Sequence, residues 1–476
     1  MKQKWTAIFL VLVILFTLAV PAAAEGQAEE IPESTAQSSA GLGFSMTAYA
    51  ALLIELNTGA TLYAFNANEQ HYPASLTKIM TCMLALENGN LEDILTVSST
   101  ALEGLDEAGS TAGLVEGEQM SLLNMLYCVM VSSANEACNV VAEYVSGSIE
   151  AFVDLMNQRA QELGCTGTHF ANPHGLHDEN HYTTAYDLSL IVRQALQYEE
   201  FRTICNTASY TLPATNMHEA RTMNTTNELL SVNSTNYYSK AEGVKTGFTS
   251  PARRCLISTA DNGNLHLLAI ILGADTVYNE DLGTWVPQNF PECINLFEYG
   301  FQNYTIATVL NTLYPLAEIP VNQSAGSQTV ALAPAKELRT LVPSDYNEDD
   351  LQMDIQLIGD SVDAPVAAGD VLGTVTVSFQ GQVLGTSDLT AITAVSRSEI
   401  THQVEETKVY VQDNWWKWLL GVLIAILVLI VICLILLQVY RRRERKRKVA
   451  ARRRALEQRR RQQEREQNWL RDNMEE

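Results

Sequence analysis

At 476 residues the chain is too long for one ordinary core and implies two or three folded units. Its hydrophobic share of 47% excludes disorder as a global state. The formal charge of -24 hides an asymmetry: 15 of the 31 Lys and Arg lie after Tyr440, so the rest is more acidic than the total, which argues against nucleic-acid binding there.

Residues 1–24 read as a secretory signal peptide. Lys2 and Lys4 precede the short apolar run Thr6–Val20, and Ala22-Ala23-Ala24 is a small-residue cleavage site. Residues 25–43, rich in Ala, Ser, Glu and Gln without periodicity, form a linker. In 44–304 the runs Ala50–Glu55 and Ala60–Phe65 flank the turn Asn57-Thr58-Gly59 and predict a hairpin. Helical spacing covers Tyr72–Leu86, Leu122–Met130, Ala137–Val145 and Leu188–Leu196. Strand patterns follow at Ala241–Thr249, Cys255–Ala260 and Leu265–Gly273. Strands at both ends with helices between them make this unit α/β or α+β.

Residues 305–397 carry short alternating runs and predict a small all-β domain, with Val371, Gly373, Val375, Val377 and Phe379 on one face and a turn at Gly381-Gln382. Residues 398–414 form a juxtamembrane linker, and 415–440 a transmembrane helix. Leu419–Leu437 is continuously apolar, Trp415, Trp416 and Trp418 mark one interface, and Tyr440 with Arg441-Arg442-Arg443 marks the other. The positive-inside rule makes 441–476 a basic cytoplasmic tail, suited to lying on anionic lipid, and leaves the acidic part outside. The eight cysteines show neither a CxxC pair nor Cys/His metal spacing and read mostly as buried free thiols.

Three short motifs carry chemistry. In Ser75-Leu76-Thr77-Lys78, helical spacing lets the Lys78 amine reach the Ser75 hydroxyl. A serine is a weak nucleophile without an adjacent base, and a lysine serves when burial or a neighbouring cation lowers its pKa. Ser75 also falls near a helix N-terminus, where N–H groups favour developing negative charge. In Ser133-Ala134-Asn135 a hydroxyl and an amide can point into one cleft, Ser133 to relay a proton and Asn135 to hold an amide. In Lys245-Thr246-Gly247, inside a strand, Lys245 supplies charge for a carboxylate, the Thr246 hydroxyl can bond it, and Gly247 permits close approach. Each motif alone is ordinary; their co-occurrence in order is not.

Together, SxxK, the Ser/Asn triplet and KTG resemble the signature of penicillin-binding proteins and class A β-lactamases. From about Ala48 to Tyr304 the chain resembles the low-molecular-mass penicillin-binding proteins, the serine-type D-alanyl-D-alanine carboxypeptidases. The likeness includes Pro73–Thr81, Ser133–Cys138, Asn172-Pro173-His174-Gly175-Leu176, Thr184–Leu188 and Gly243–Thr249. It extends to Ala364-Pro365-Val366 and Gly369, which look like the family's second domain. The resemblance implies a transpeptidase-like antiparallel sheet flanked by helices, no cofactor, and peptidoglycan stem peptides ending in D-Ala-D-Ala as substrate, with β-lactams as inhibitors. It implies Ser75 as nucleophile, Lys78 as general base and Ser133 as proton relay. Asn135, Lys245, Thr246 and Gly247 would bind substrate, with the oxyanion held by the backbone N–H groups of Ser75 and Phe248.

Three departures stand out. Phe248 replaces a frequent His, Ala134 a frequent Gly, and Thr226 stands about where relatives often carry Arg, with Arg221 nearby. His169, His174, His177 and His181 lack helical HExxH spacing, so no metal site is assigned. Three alternatives remain open: a D,D-endopeptidase, a β-lactamase of the same fold, and a non-catalytic anchored wall-binding protein. No ExxLN-like deacylating Glu is evident between the second and third motifs.

Overall fold

The computed structural model describes residues 42–106, 109–280 and 283–472. The expected signal peptide and nearly all of the expected 25–43 linker lie outside these residues. The chain divides into two units. One runs to Val309 and takes back Arg339–Leu351; the other holds Leu310–Leu338 and everything from Gln352 onward. This differs from a single cut at 304/305, because the returning segment supplies a strand that pairs near the end of the first unit.

The first unit runs β1 (Ala50–Glu55), β2 (Thr61–Phe65), α1 (Lys78–Asn88), β3 (Ile94–Thr96), β4 (Gln119–Ser121), α2 (Leu122–Met130) and α3 (Asn135–Ser146). It continues through α4 (Ile149–Glu162), α5 (Ala185–Ala195), α6 (Glu199–Cys205), β5 (Ser209–Leu212), β6 (Arg221–Asn224) and β7 (Lys245–Thr249). Then come β8 (Arg253–Asp261), β9 (His266–Ala274), β10 (Thr276–Asn279), β11 (Thr284–Pro287), α7 (Asn289–Asn303) and β12 (Tyr304–Leu310). The main sheet is antiparallel in the order β2-β1-β9-β8-β7, so β7 is an edge strand.

Period-2 alternation assigns the layers. Ala50, Leu52 and Ile54 of β1, with Leu268, Ile270 and Leu272 of β9, join the core built with α1 to α6. Ala51 and Leu53, with Leu267, Ala269 and Ile271, face Phe290, Cys293, Leu296 and Phe297 of α7. A strand covered on both faces reads as continuously apolar, which is why β9 shows no polar alternation.

Most expected elements are found, with ends set by caps. α5 starts at Ala185 because the Thr184 hydroxyl accepts the Asp187 N–H at 2.9 Å. One difference matters for function. Tyr72–Leu86 is not one helix: Ala74–Thr77 is a 3-10 turn, and α1 begins only at Lys78.

In the second unit β13 (Ala317–Asn322), β14 (Thr329–Pro334), β16 (Leu351–Leu357), β17 (Val362–Asp363), β18 (Val371–Phe379) and β19 (Gln382–Ala391) follow, whereas β15 (Leu338–Pro343) falls in the segment taken back by the first unit. Six of them form one sheet, β16-β18-β19-β14-β13-β17, while β15 pairs with β12. Gln380 and Gly381 both have positive φ, the two-residue hairpin geometry that matches strand twist. Gly373, Val375, Val377 and Phe379 share the buried face as expected. Val371 does not: a register shift between Val371 and Gly373 exposes it and buries Leu372 instead.

The described residues end in α8 (Glu399–Asp472), one continuous helix. The expected juxtamembrane linker is helical from Glu399 onward, and neither Pro nor Gly occurs between Glu399 and Trp415. An apolar window of mean hydropathy 3.6 within this helix is long enough to cross a membrane, and none of that window is buried by protein. All eight cysteines are free, and seven are buried. Burial raises the Cys138 and Cys255 thiols to about 12, which keeps them protonated and unreactive.

Candidate active site

The 3-10 turn places Ser75 and Lys78. With three residues per turn, side chains at i and i+3 eclipse, so this short tight turn stacks the amine on the hydroxyl more directly than an α-helix would. Lys78 Nζ donates to Ser75 Oγ at 2.9 Å, to Asn135 Oδ1 at 2.8 Å and to the His174 carbonyl at 2.6 Å. An ammonium has three donors, and all three are used. Lys78 is fully buried, a position that would cost several kcal/mol for an unpaired charge. Burial pulls its pKa down to about 8, against smaller upward pulls from Cys138 and Glu136.

The backbone around the turn is held from the Asn172–Leu176 loop. Thr81 Oγ1 donates to the Pro173 carbonyl at 2.5 Å. Thr77 Oγ1 donates to the Ala74 carbonyl at 2.9 Å and meets His181 Nε2 at 2.7 Å. His181 Nδ1 accepts the Ala171 N–H at 3.1 Å, so the imidazole proton sits on Nε2. Burial lowers the His181 pKa to about 3 and keeps the ring neutral. Ala74 itself has φ +48, a left-handed conformation that a non-glycine residue adopts only where its surroundings enforce it.

Gly175 (φ +89) lets the loop close on this turn, and a Cβ there would land on the Ala74 carbonyl oxygen. Gly175→Ala is therefore expected to lower unfolding free energy by about 2–4 kcal/mol. It should also slow acylation of Ser75; urea melts and penicillin-labelling rates check the two effects.

The second motif bridges into α3. Asn135 is its first residue, and its backbone N–H donates to the Ser110 carbonyl at 2.9 Å. The neighbouring Glu136 is buried and accepts from Thr111 Oγ1 at 2.6 Å and the Ala112 N–H at 2.8 Å, which ties down the segment beside the site. Ser133 is buried with φ +60. It lies two residues before Asn135, just ahead of α3, but the Lys78 donors are taken by other partners.

The third motif lies along the edge strand β7. Lys245 is buried, and its Nζ donates to the Thr246 carbonyl at 3.3 Å. Burial, with the nearby charge of Lys78, lowers its pKa to about 7. Gly247 is where the strand meets the nucleophile turn: a Cβ would stand 2.9 Å from the Pro73 carbonyl oxygen and 3.2 Å from the Ser75 nitrogen. Phe248 is 55% exposed and lies under the Arg254 guanidinium, 4.4 Å from its ring centroid.

Two departures from the family pattern acquire structural partners. Thr226 Oγ1 lies 2.5 Å from Thr246 Oγ1. Arg221 turns elsewhere, placing Nη1 and Nη2 each 3.0 Å from Oε1 of the buried Glu118. The buried imidazoles serve the loop: His174 Nδ1 accepts the Leu176 N–H at 3.2 Å, as His181 accepts that of Ala171. Sequence reasoning assigned no role to the His174 carbonyl or to the Thr77–His181 pair. The only signal was the position of a glycine within Asn172–Leu176, and a backbone acceptor leaves no side-chain trace.

A buried amine bonded to a serine hydroxyl, beside an open strand edge, is what a serine acyl-transfer enzyme requires. Comparison with known proteins agrees. Residues 33–276 match the family model for D-alanyl-D-alanine carboxypeptidase, and 314–397 match that for the penicillin-binding protein 5 C-terminal domain. The Bacillus subtilis D-alanyl-D-alanine carboxypeptidase DacF is 31% identical over 347 residues, covering 72% of this chain and 85% of that protein. DacC of Escherichia coli is 29% identical over 355 residues, covering 71% and 82%. Penicillin-binding protein 5 from Haemophilus influenzae superposes with a TM-score of 0.56 at 27% identity, covering 74% of this chain and 99% of that one. The chain belongs to the D-alanyl-D-alanine carboxypeptidase family.

Proposed function

We propose that this protein removes the terminal D-alanine from peptidoglycan stem peptides through an acyl-enzyme on Ser75. The observation that carries this reading is the 2.9 Å contact between Ser75 Oγ and the buried Lys78 amine. With Lys78 neutral, Ser75 Oγ attacks the carbonyl between the two D-alanines and its proton passes to Nζ. The N–H groups of Ser75 and Phe248 are assigned to the oxyanion, Lys245 and Thr246 to the terminal carboxylate. Ser133 relays the proton that lets D-alanine leave. The Asn135 amide NH₂ takes a substrate carbonyl, its oxygen being engaged by Lys78. Water then hydrolyses the ester. α8 anchors the enzyme with the basic tail in the cytoplasm, a reading supported by the charge bias around the apolar run.

The β-lactamase alternative needs a fast deacylating base. The partners of Lys78 are a hydroxyl, an amide and a peptide carbonyl, none of them a carboxylate. Intact-mass spectrometry of the detergent-solubilised chain with benzylpenicillin tests the reading. A persistent adduct mapped to Ser75 is expected. An adduct gone within seconds with drug consumed would mean a β-lactamase, and no adduct would leave the anchored binding protein.

A further inference from the structure

We propose that α8 pairs with a second copy of itself in a parallel two-stranded coil, joining two enzymes through the stalk ahead of the span and through the span itself. The inference goes beyond the catalytic reading and rests only on α8 crossing the bilayer. Ile400, Val404, Thr407, Val411, Asn414 and Trp418 recur at alternating spacings of four and three residues. These are the d and a positions of a heptad repeat, by which one helix presents a continuous seam to another. Ile400, Val404, Val411 and Trp418 are all exposed.

The charges keep clear of this seam. Each carboxylate of the stalk, Glu399, Glu405, Glu406 and Asp413, falls at position b or c, on the far side. Glu405 pairs with Lys408 at 3.2 Å and Glu406 meets His402 at 3.3 Å, both within one helix. Bringing two copies together therefore desolvates no carboxylate. Tyr410 and Trp415, 61% and 60% exposed, take the flanking g and e positions, which meet across a parallel pair. Val409 is the one apolar stalk residue that points away. Across two copies these stalk side chains offer roughly 1,000 Å² of burial, the size at which specific interfaces begin.

The same register continues into the membrane. It puts Gly421 and Ala425, the only Gly and Ala of the run Leu419–Leu437, at d and a. Small residues four apart let two backbones approach closely in lipid, where apolar surface alone gives no drive to associate. The stalk pattern and the small pair are separate sequence features, and one register satisfies both. Past the span that register brings Arg442, Lys446 and Arg453 to the seam, so like charges end the pairing there.

The bilayer selects the occupant. The Trp415–Trp418 and Arg441–Arg443 flanks give every copy the same orientation and depth, so copies meet parallel and in register. α8 is unbroken between the stalk and the span. The stalk therefore continues the span for about 24 Å beyond the bilayer instead of lying on lipid.

The test is disulfide cross-linking of the full chain in lipid vesicles, in a Cys433→Ser background, with copper phenanthroline as oxidant. The other seven cysteines are buried. Val404→Cys and Val411→Cys are expected to give at least about tenfold more linked dimer than Glu406→Cys and Val409→Cys, which face outward. Equal linking at all four positions, or none at Val404 and Val411, would overturn the pairing. Energy transfer between labelled copies, followed as the protein is diluted in lipid, gives a second readout. Gly421→Leu combined with Ala425→Leu is expected to weaken association about 5- to 30-fold and to leave penicillin labelling of Ser75 at its wild-type rate. Unchanged transfer in that variant would overturn the span's part in the pairing. Neither readout requires catalysis, so a failure here and a failure of the carboxypeptidase reading are separable.

Discussion

Ser75→Ala is expected to abolish penicillin labelling and to reduce D-alanine release by at least about ten-thousand-fold. The hydroxyl is the one group within 2.9 Å of the buried Lys78 amine that can form an ester. The other two partners are an amide oxygen and a peptide carbonyl, and neither is a nucleophile. The variant should keep its fold, because Ser75 is only half-buried and the turn is held by Thr77, Thr81 and Gly175 rather than by the hydroxyl. Unchanged thermal unfolding alongside complete loss of the adduct is the expected pair of results. Residual labelling at another residue would refute the assignment.

Lys78→Met is expected to cost about 100- to 10,000-fold in acylation rate, the range of a positioned general base. Methionine approximates the length of the side chain but cannot accept a proton. The same residue predicts the pH profile. Burial holds Lys78 near 8, so the neutral, base-competent form accumulates as pH rises through that value. Lys245 must stay protonated to meet a carboxylate, and its pKa of about 7 means that form is lost as pH rises. The two requirements oppose each other, so kcat/KM should rise on the acid side, peak between about 7 and 8, and fall on the alkaline side. In Lys245→Arg the charge persists to high pH, and the alkaline fall should move upward or vanish. A profile flat from about pH 6 to 9 in the wild type would contradict both roles.

The residues assigned to the chemistry are legible because the proposed nucleophile, base and carboxylate ligand are side chains, and the spacing within each motif is local. Ser75 and Lys78 lie one turn apart, so any helical start brings them together. β1, β9 and α2 were legible for a similar reason: unbroken apolar runs or a clear 3.6 period mark them. The apolar run Leu419–Leu437 likewise declared itself by length alone.

What lay beyond the sequence was decided by contacts between distant segments. The 3-10 turn at Ala74–Thr77 looks like the first turn of an α-helix in residue pattern. It is stabilised by a loop about 100 positions away, through Thr77 with His181 and Thr81 with Pro173. The third partner of Lys78 is a backbone carbonyl at His174, which any residue could provide. Arg221 was sequence-adjacent to the site region, yet the buried Glu118 claims it, while Arg254, unremarkable in pattern, is set beside Phe248 by strand register. Periodicity fixes which residues face inward along one element; which elements meet, and which charged groups are left without an internal partner, depends on packing summed over the whole fold.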